Sequence, residues 1–343
     1  MAEEFEEAEM NKEQSKEKSS DYDGGLDLRE IDTKRPFKID YSCEKDKIRK
    51  KKICLEALRL AREHFDLKQY SMCRFMIEKI PNKECSAEAM FTLGVLYFDG
   101  LAVQKDQAKA LQIMIRTGLM KSYPQEEEDF IVQAQFNVGE AYFYGTGTLN
   151  NDAEAEKWWL KAALKKRNPG AIRAQSALGK FYSRRLYFFP DKSFYWHSKA
   201  CENGSLESQT ALGIMYFYGI WVEKNEYIAY KYLSSASHRG SVMAMAQMMV
   251  FYYQRRLYQS TAQLGKQLCK YFDILEVSRN TECSFGSVVE GLCIAYFYLG
   301  RCYHRGAGIE QNIEKALVLY KKATEYSSRT ASQLHTKLLN GLI

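Results

Sequence analysis

Proline is scarce in this 343-residue chain, with five in all, and no apolar run approaches the ~18–20 residues that a membrane-crossing helix needs. Membrane insertion is therefore not expected. Catalytic and metal-binding signatures are missing too: there is no Cys-x-x-Cys, His-x-x-x-His, Gly-x-Ser-x-Gly or Walker loop. The five histidines, His64, His197, His238, His304 and His335, have no cysteine or second histidine at ligand spacing. No enzyme, metal or cofactor is expected from these residues. The acidic start, MAEEFEEAEM, has no apolar segment behind it, so no secretory signal and a cytoplasmic chain are expected. Nine cysteines without regular spacing then read as free thiols.

What is present is an ordinary soluble composition, 46% apolar and 27% charged, with a mean hydropathy of −0.44. Charge is uneven. Residues 1–35 hold twelve acidic and six basic side chains, which leaves +12 for the rest of a chain whose total is +6. Residues 1–40 have almost no aliphatic periodicity and cannot bury enough apolar area to offset their ordering entropy, so a disordered acidic tail is expected there. Residues 41–84 form the next segment. The basic run Lys45–Lys52 leads into a helical pattern through Ile53, Leu55, Leu58 and Ala61, and a second amphipathic stretch runs from Gln69 to Ile80 before Pro81. The run suits a solvated helix start, a nuclear signal, an anionic-lipid contact or a calmodulin-type target helix.

From residue 85 to 343 the chain repeats itself. LGVLYFDG (93–100), VGEAYFYG (138–145), LGKFYSRR (178–185), LGIMYFYG (212–219) and LGRCYHRG (299–306) align, with a degenerate copy, MMVFYYQR, at 248–255. The second residues of the blocks are separated by 45, 40, 34, 36 and 51 positions, and the 279–294 stretch that lengthens the last step is open to a loop or an extra helical turn. Each block is followed by a second signature: a small opener (Ala110, Ala155, Ser193, Ala229, Ala316), a larger residue three later, and another small residue four further on (Thr117, Ala162, Ala200, Ala236, Ala323). Spacings of three and four put these on one helical face, so the unit is helix–loop–helix. The loop Gly145-Thr-Gly147 follows a helix instead of a strand, which favours a turn over a phosphate cradle.

Gly94, Gly139, Gly179, Gly213 and Gly300 lie inside the expected first helices, where glycine costs ~1 kcal/mol relative to alanine. Five recurrences of a costly residue predict that another helix passes too close for a Cβ. No single hairpin buries its apolar face alone, so the hairpins are expected to stack. Recurring positions, most of the twenty-four tyrosines and eighteen phenylalanines among them, are assigned to packing. Non-recurring positions on the first helices are then free for function.

The pattern L-G-x-x-Y-x-x-G, a Gly-containing loop, and K-A-x-x-[WY]-x-x-x-A resembles the Sel1-like repeat, a relative of the tetratricopeptide repeat. The resemblance covers roughly 85–327 as six units, one degenerate at about 241–278, followed by a C-terminal capping helix; the 53–81 hairpin is similar to one tetratricopeptide unit. It implies an all-α, right-handed α–α superhelix whose first helices line a concave groove. The non-recurring positions there include Asn137, Glu140, Tyr144, Lys180, Arg184, Ile214, Tyr218, Tyr298, Arg301 and Arg305, which become the candidate peptide-binding residues. Tyrosine and arginine are enriched at binding hot spots, and this set predicts capture of an extended, partly acidic peptide. As a whole, the organisation resembles cytoplasmic adapters for the tail of the endocytic receptor megalin, which implies that tail as the partner and no nucleic acid. The Sel1-like resemblance also admits a role in membrane-protein quality control, or hydrolytic activity of a bacterial type.

Overall fold

The computed structural model describes residues 44–80, 86–165, 168–184, 189–270 and 273–341, with side chains from residue 52 onward. The expected acidic tail lies outside these residues. Among them are sixteen α-helices and no β-strand. The chain divides into two compact units, residues 1–83 and 84–343.

In the first unit, α1 (Glu44–Asp66) and α2 (Tyr70–Glu78) form a hairpin. Ala57, Leu58 and Ala61 of α1 are buried together with Cys73, Ile77 and Ile80. The turn is tight, with Lys68 at φ 59°, and Phe65 meets Tyr70 edge-on at 5.5 Å. The basic run is helical throughout, being part of α1.

The second unit is a stack of six hairpins. They are α3 (Ala87–Asp99) with α4 (Gln107–Gly118), α5 (Glu128–Tyr144) with α6 (Asp152–Ala163), and α7 (Pro169–Tyr182) with α8 (Pro190–Glu202). There follow α9 (Leu206–Tyr218) with α10 (Glu226–His238), α11 (Val242–Gln254) with α12 (Tyr258–Leu268), and α14 (Phe285–Arg305) with α15 (Ile313–Tyr326). The extra α13 (Ile274–Thr281) precedes α14, and α16 (Ser328–Leu339) closes the stack by burying Ala331 and Leu334. The long step between the last two copies is thus filled twice over, by α13 and by extra N-terminal turns of α14.

Local chemistry sets the helix ends. Asp106, Asn151, Asn225 and Asn312 cap the second helices α4, α6, α10 and α15 by accepting backbone N–H bonds. The first helices α3, α5, α9 and α14 end on Gly100, Gly145, Gly219 and Gly306 in the left-handed region. The third copy, which lacks that glycine, ends α7 at Ser183 in right-handed geometry.

The intrahelical glycines are all buried. A Cβ on Gly94, Gly139, Gly179, Gly213 or Gly300 would lie 2.5–2.9 Å from Met114, Trp159, His197, Leu233 or Tyr320, on the second helix of the same hairpin. The predicted close approach is therefore real, and the group it admits is a side chain. Burying Leu233 completely stabilises by about 2 kcal/mol, which exceeds the ~1 kcal/mol helical cost of Gly213.

The degenerate copy keeps this arrangement in reverse. Each bulky partner is the eighth residue after its helix N-cap, and in α12, whose N-cap is Leu257, that residue is Gly265. Met249 stands on α11 where the other first helices carry glycine. A Cβ on Gly265 would lie 2.8 Å from Met249 Cε. The methionine fills from one side the space that the other hairpins fill from the other.

Successive first helices touch each other, whereas successive second helices make next to no direct contact. The first helices therefore form the row of shorter radius, the inner face of the superhelix.

Gly139→Ala drives a methyl into the rigid Trp159 ring, at 2.5 Å, while Gly94→Ala meets only the flexible end of Met114, at 2.8 Å. In urea denaturation Gly139→Ala is expected to lose ~1–3 kcal/mol, as overpacked cores do. Gly94→Ala should stay within ~0.5 kcal/mol of the parent because its helix propensity offsets the contact.

Candidate functional site

Nine of the ten candidate residues fall on α5, α7, α9 and α14, and Arg184 lies just past the end of α7, but the structure does not give them one environment. Asn137, Glu140 and Tyr144 form a single stripe on α5, spaced three and four apart. Asn137 and Glu140 are half-buried, Tyr144 is 69% exposed, and none of their polar atoms has a hydrogen bond or ion pair. Tyr144 is propped edge-on against Phe143 at 4.9 Å. Beside it on α7, Lys180 donates to Glu207 Oε2 of α9 at 3.1 Å. Glu207 also accepts from the backbone and hydroxyl of Ser284, the N-cap of α14. One lysine thus stands among two carboxylates and is bound to the second.

Electrostatics follow from that sharing. Burial, the largest influence, pushes the Glu140 carboxyl up to about 7; Lys180 opposes the shift and the like charge of Glu207 adds to it. Burial also works against the Glu207 charge, yet Lys180 and the two Ser284 bonds overcome it and hold this carboxyl below its ordinary range. For Lys180 burial disfavours the ammonium, and the Glu207 and Glu140 carboxylates more than compensate.

The remaining bases are occupied. Arg184 lies 3.9 Å above the Phe143 ring and 3.7 Å from Asp152, at the start of α6. Arg301 is 2% exposed and donates to the Tyr253 hydroxyl at 3.0 Å; Arg305, exposed, donates to the same oxygen at 3.4 Å. Tyr298 is 1% exposed and packs edge-on against Tyr253 at 5.2 Å. Tyr298 and Arg301 are therefore core residues, which corrects their placement on an accessible groove. Both pack against Tyr253, where α14 lies on α11 and α12. Tyr218 donates to Gln247 at 3.1 Å, Lys337 of α16 stands 5.9 Å from its ring centre, and Ile214 packs on the same C-terminal core.

The inner face thus has two halves. Over the C-terminal hairpins the chain satisfies itself, whereas over α5 it presents an unbonded stripe. The arginines and lysine expected to meet an acidic peptide are not free: Lys180, Arg184, Arg301 and Arg305 all have internal partners. Sequence comparison missed Glu207, Arg173 and Ser284. The first two lie one turn before the compared rows, so extending each stripe by four residues would have found them. Ser284 belongs to the insertion and has no counterpart. Among the described residues no group of His, Cys, Asp or Glu is placed to hold a metal ion, and no single helix is long and apolar enough to cross a membrane.

Beneath this cluster, His197 is 2% exposed, fills the space over Gly179, and is hydrogen-bonded to Ser208 Oγ at 3.0 Å. Burial pulls it down to about 4 from 6.5. The unfolded chain then binds a proton that the folded chain refuses, so stability falls as pH drops from 6.5 towards 4. Against the parent, His197→Leu (the residue α10 uses opposite Gly213) should remove a slope of roughly 1 kcal/mol per pH unit across that window. Parallel urea curves at three pH values measure it.

Comparison with known proteins places these hairpins in context. The Sel1 repeat family model matches residues 87–117, 132–166, 172–205, 206–241 and 293–325; the inverted α11–α12 hairpin lies between the last two matches. A Sel1 repeat protein from Oxalobacter formigenes has the same fold, with a TM-score of 0.58 at 23% identity, over 78% of this chain and 96% of that one. A protective antigen of uropathogenic Escherichia coli displaying an SLR fold aligns with a TM-score of 0.55 at 17% identity, over 82% of this chain and 64% of that one. Sel1 repeat proteins in general act as protein-interaction scaffolds. With six stacked hairpins built on one contact and five of them matched, the chain belongs to the Sel1 repeat family.

Proposed function

We propose that this protein is a non-enzymatic cytoplasmic adapter that holds an extended peptide segment of a partner along the inner face of its N-terminal hairpins. The observation that carries this reading is the α5 stripe: Asn137, Glu140 and Tyr144 lie one helical turn apart, and none of their polar atoms has a hydrogen bond or ion pair in the chain. A half-buried carboxylate and amide without bonds are costly in isolation and are satisfied by an incoming chain. The exposed Tyr144 ring supplies the desolvated area that anchors such contacts. The stacked hairpins are rigid, so the surface is preorganised and little ordering entropy is lost on the protein side.

The partner we favour is the cytoplasmic tail of the endocytic receptor megalin, with the adapter regulating receptor function or trafficking. The likeness of the overall organisation, an acidic head, one tetratricopeptide-like hairpin and a Sel1 array, supports this choice.

The test is a titration of the full chain with overlapping synthetic peptides that span the megalin tail. One peptide is expected to bind, and Tyr144→Ala should weaken it about tenfold or more with the helical circular-dichroism signal unchanged. Equal affinity for the variant would reject the inner face. No binding by any peptide would reject this receptor.

A further inference from the structure

The open half of the inner face keeps one acid without an ion pair, although the body as a whole is basic. Residues 36–343 carry +12, yet Lys180 and Arg184 beside the α5 stripe have internal partners, while Glu140 has no hydrogen bond or ion pair. The charged groups that act on Glu140 are Lys180 and Arg173 of α7 and Glu207 of α9. Lys180 is committed to Glu207, and Glu207 also holds the first turn of α14 through Ser284, so neither moves to serve Glu140 without opening the contact between hairpins. Arg173 is exposed, and its influence on Glu140 is the weakest of the three. One helical turn further along α5, the Tyr144 ring stands 69% exposed beside the carboxylate.

We infer that this stripe is a cation subsite, in which a lysine or arginine side chain of the bound peptide pairs with Glu140 and lays its stem and charge against the Tyr144 ring. The inference rests on the peptide-binding reading above and replaces an acidic ligand with a basic one. A peptide carboxylate here would be a third negative group beside Glu140 and Glu207. A cation instead completes the half-buried acid, and the tyrosine face attracts it as well. The site discriminates by charge sign more than by shape.

A proton marks the event. Burial holds the free Glu140 carboxyl near 7, and a cation laid on it favours the ionised form. Around and below pH 7 binding therefore releases a proton, and it weakens as pH falls below 7. The step is a simple exchange: the carboxyl loses its proton to solvent and gains an ion pair, with no other bond altered.

The experiment uses the full chain and four acetylated nonapeptide pools with mixed flanking residues and a central Lys, Arg, Gln or Glu, read by fluorescence anisotropy at pH 6 and 8. At pH 8 the Lys and Arg pools are expected to bind about tenfold tighter than the Glu pool, an advantage that shrinks at pH 6 and disappears in Glu140→Gln. Tyr144→Ala should weaken every pool. If Tyr144→Ala weakens binding but the Gln or Glu pool binds as well as the Lys pool, peptide capture stands and the cation subsite is overturned. The same follows if Glu140→Gln keeps the advantage. If no pool binds, or neither substitution matters, the inner-face reading falls and takes this inference with it. Glu140→Gln removes a costly charge from a half-buried site, so loss of folding does not confuse the result.

Discussion

Everything in the superhelix depends on one contact, the approach of two helices at the middle of each hairpin. One partner gives up its side chain so that the other can fill the gap. Burial of the bulky residue outweighs the helical cost of glycine, and the contact therefore fixes both the separation and the register of the pair. Repeating it along the chain gives hairpins of nearly one shape, and such hairpins stack without strain. The fifth hairpin shows that the complementary pair matters more than the glycine. Met249 and Gly265 exchange roles, the volume is conserved, and the stack continues through it.

A stack of one shape would present one kind of inner surface, and the two ends of this protein differ because of a single insertion. With α13 added and α14 lengthened, the last hairpin packs on the fifth, where Tyr298 and Arg301 meet Tyr253. Its first turn reaches back to Glu207, which in turn holds Lys180. That chain of bonds ends at Lys180, and Glu140 beside it has no ion pair. The open α5 stripe and the C-terminal hairpins are thus linked through Lys180, Glu207 and Ser284.

Much of this was readable from residue spacing. Recurring glycines and the small residues of the second helices are local constraints, and local constraints leave periodic marks. Gly94, Gly139, Gly179, Gly213 and Gly300 fulfil the close approach expected of them. The site was less readable. Treating equivalent positions as equivalent environments placed Tyr298 and Arg301 on the same surface as Asn137 and Glu140, although the first two are buried. Charge was misjudged for a related reason: counting bases along a face ignores acids that arrive from other repeats, such as Glu207 and Asp152. Gly265 escaped notice because the search followed glycine on first helices, whereas the conserved quantity is the summed volume across the pair.

The most direct measurement is a double-substitution cycle on the inverted hairpin, with Met249→Gly, Gly265→Leu and the two combined, each unfolded in urea. Each single change should destabilise, the first by leaving a cavity and the second by overpacking, and the pair should recover at least ~1 kcal/mol relative to the sum. Strictly additive effects would mean that the two positions do not share one space, and the pairing of small against large would not be what sets the hairpin.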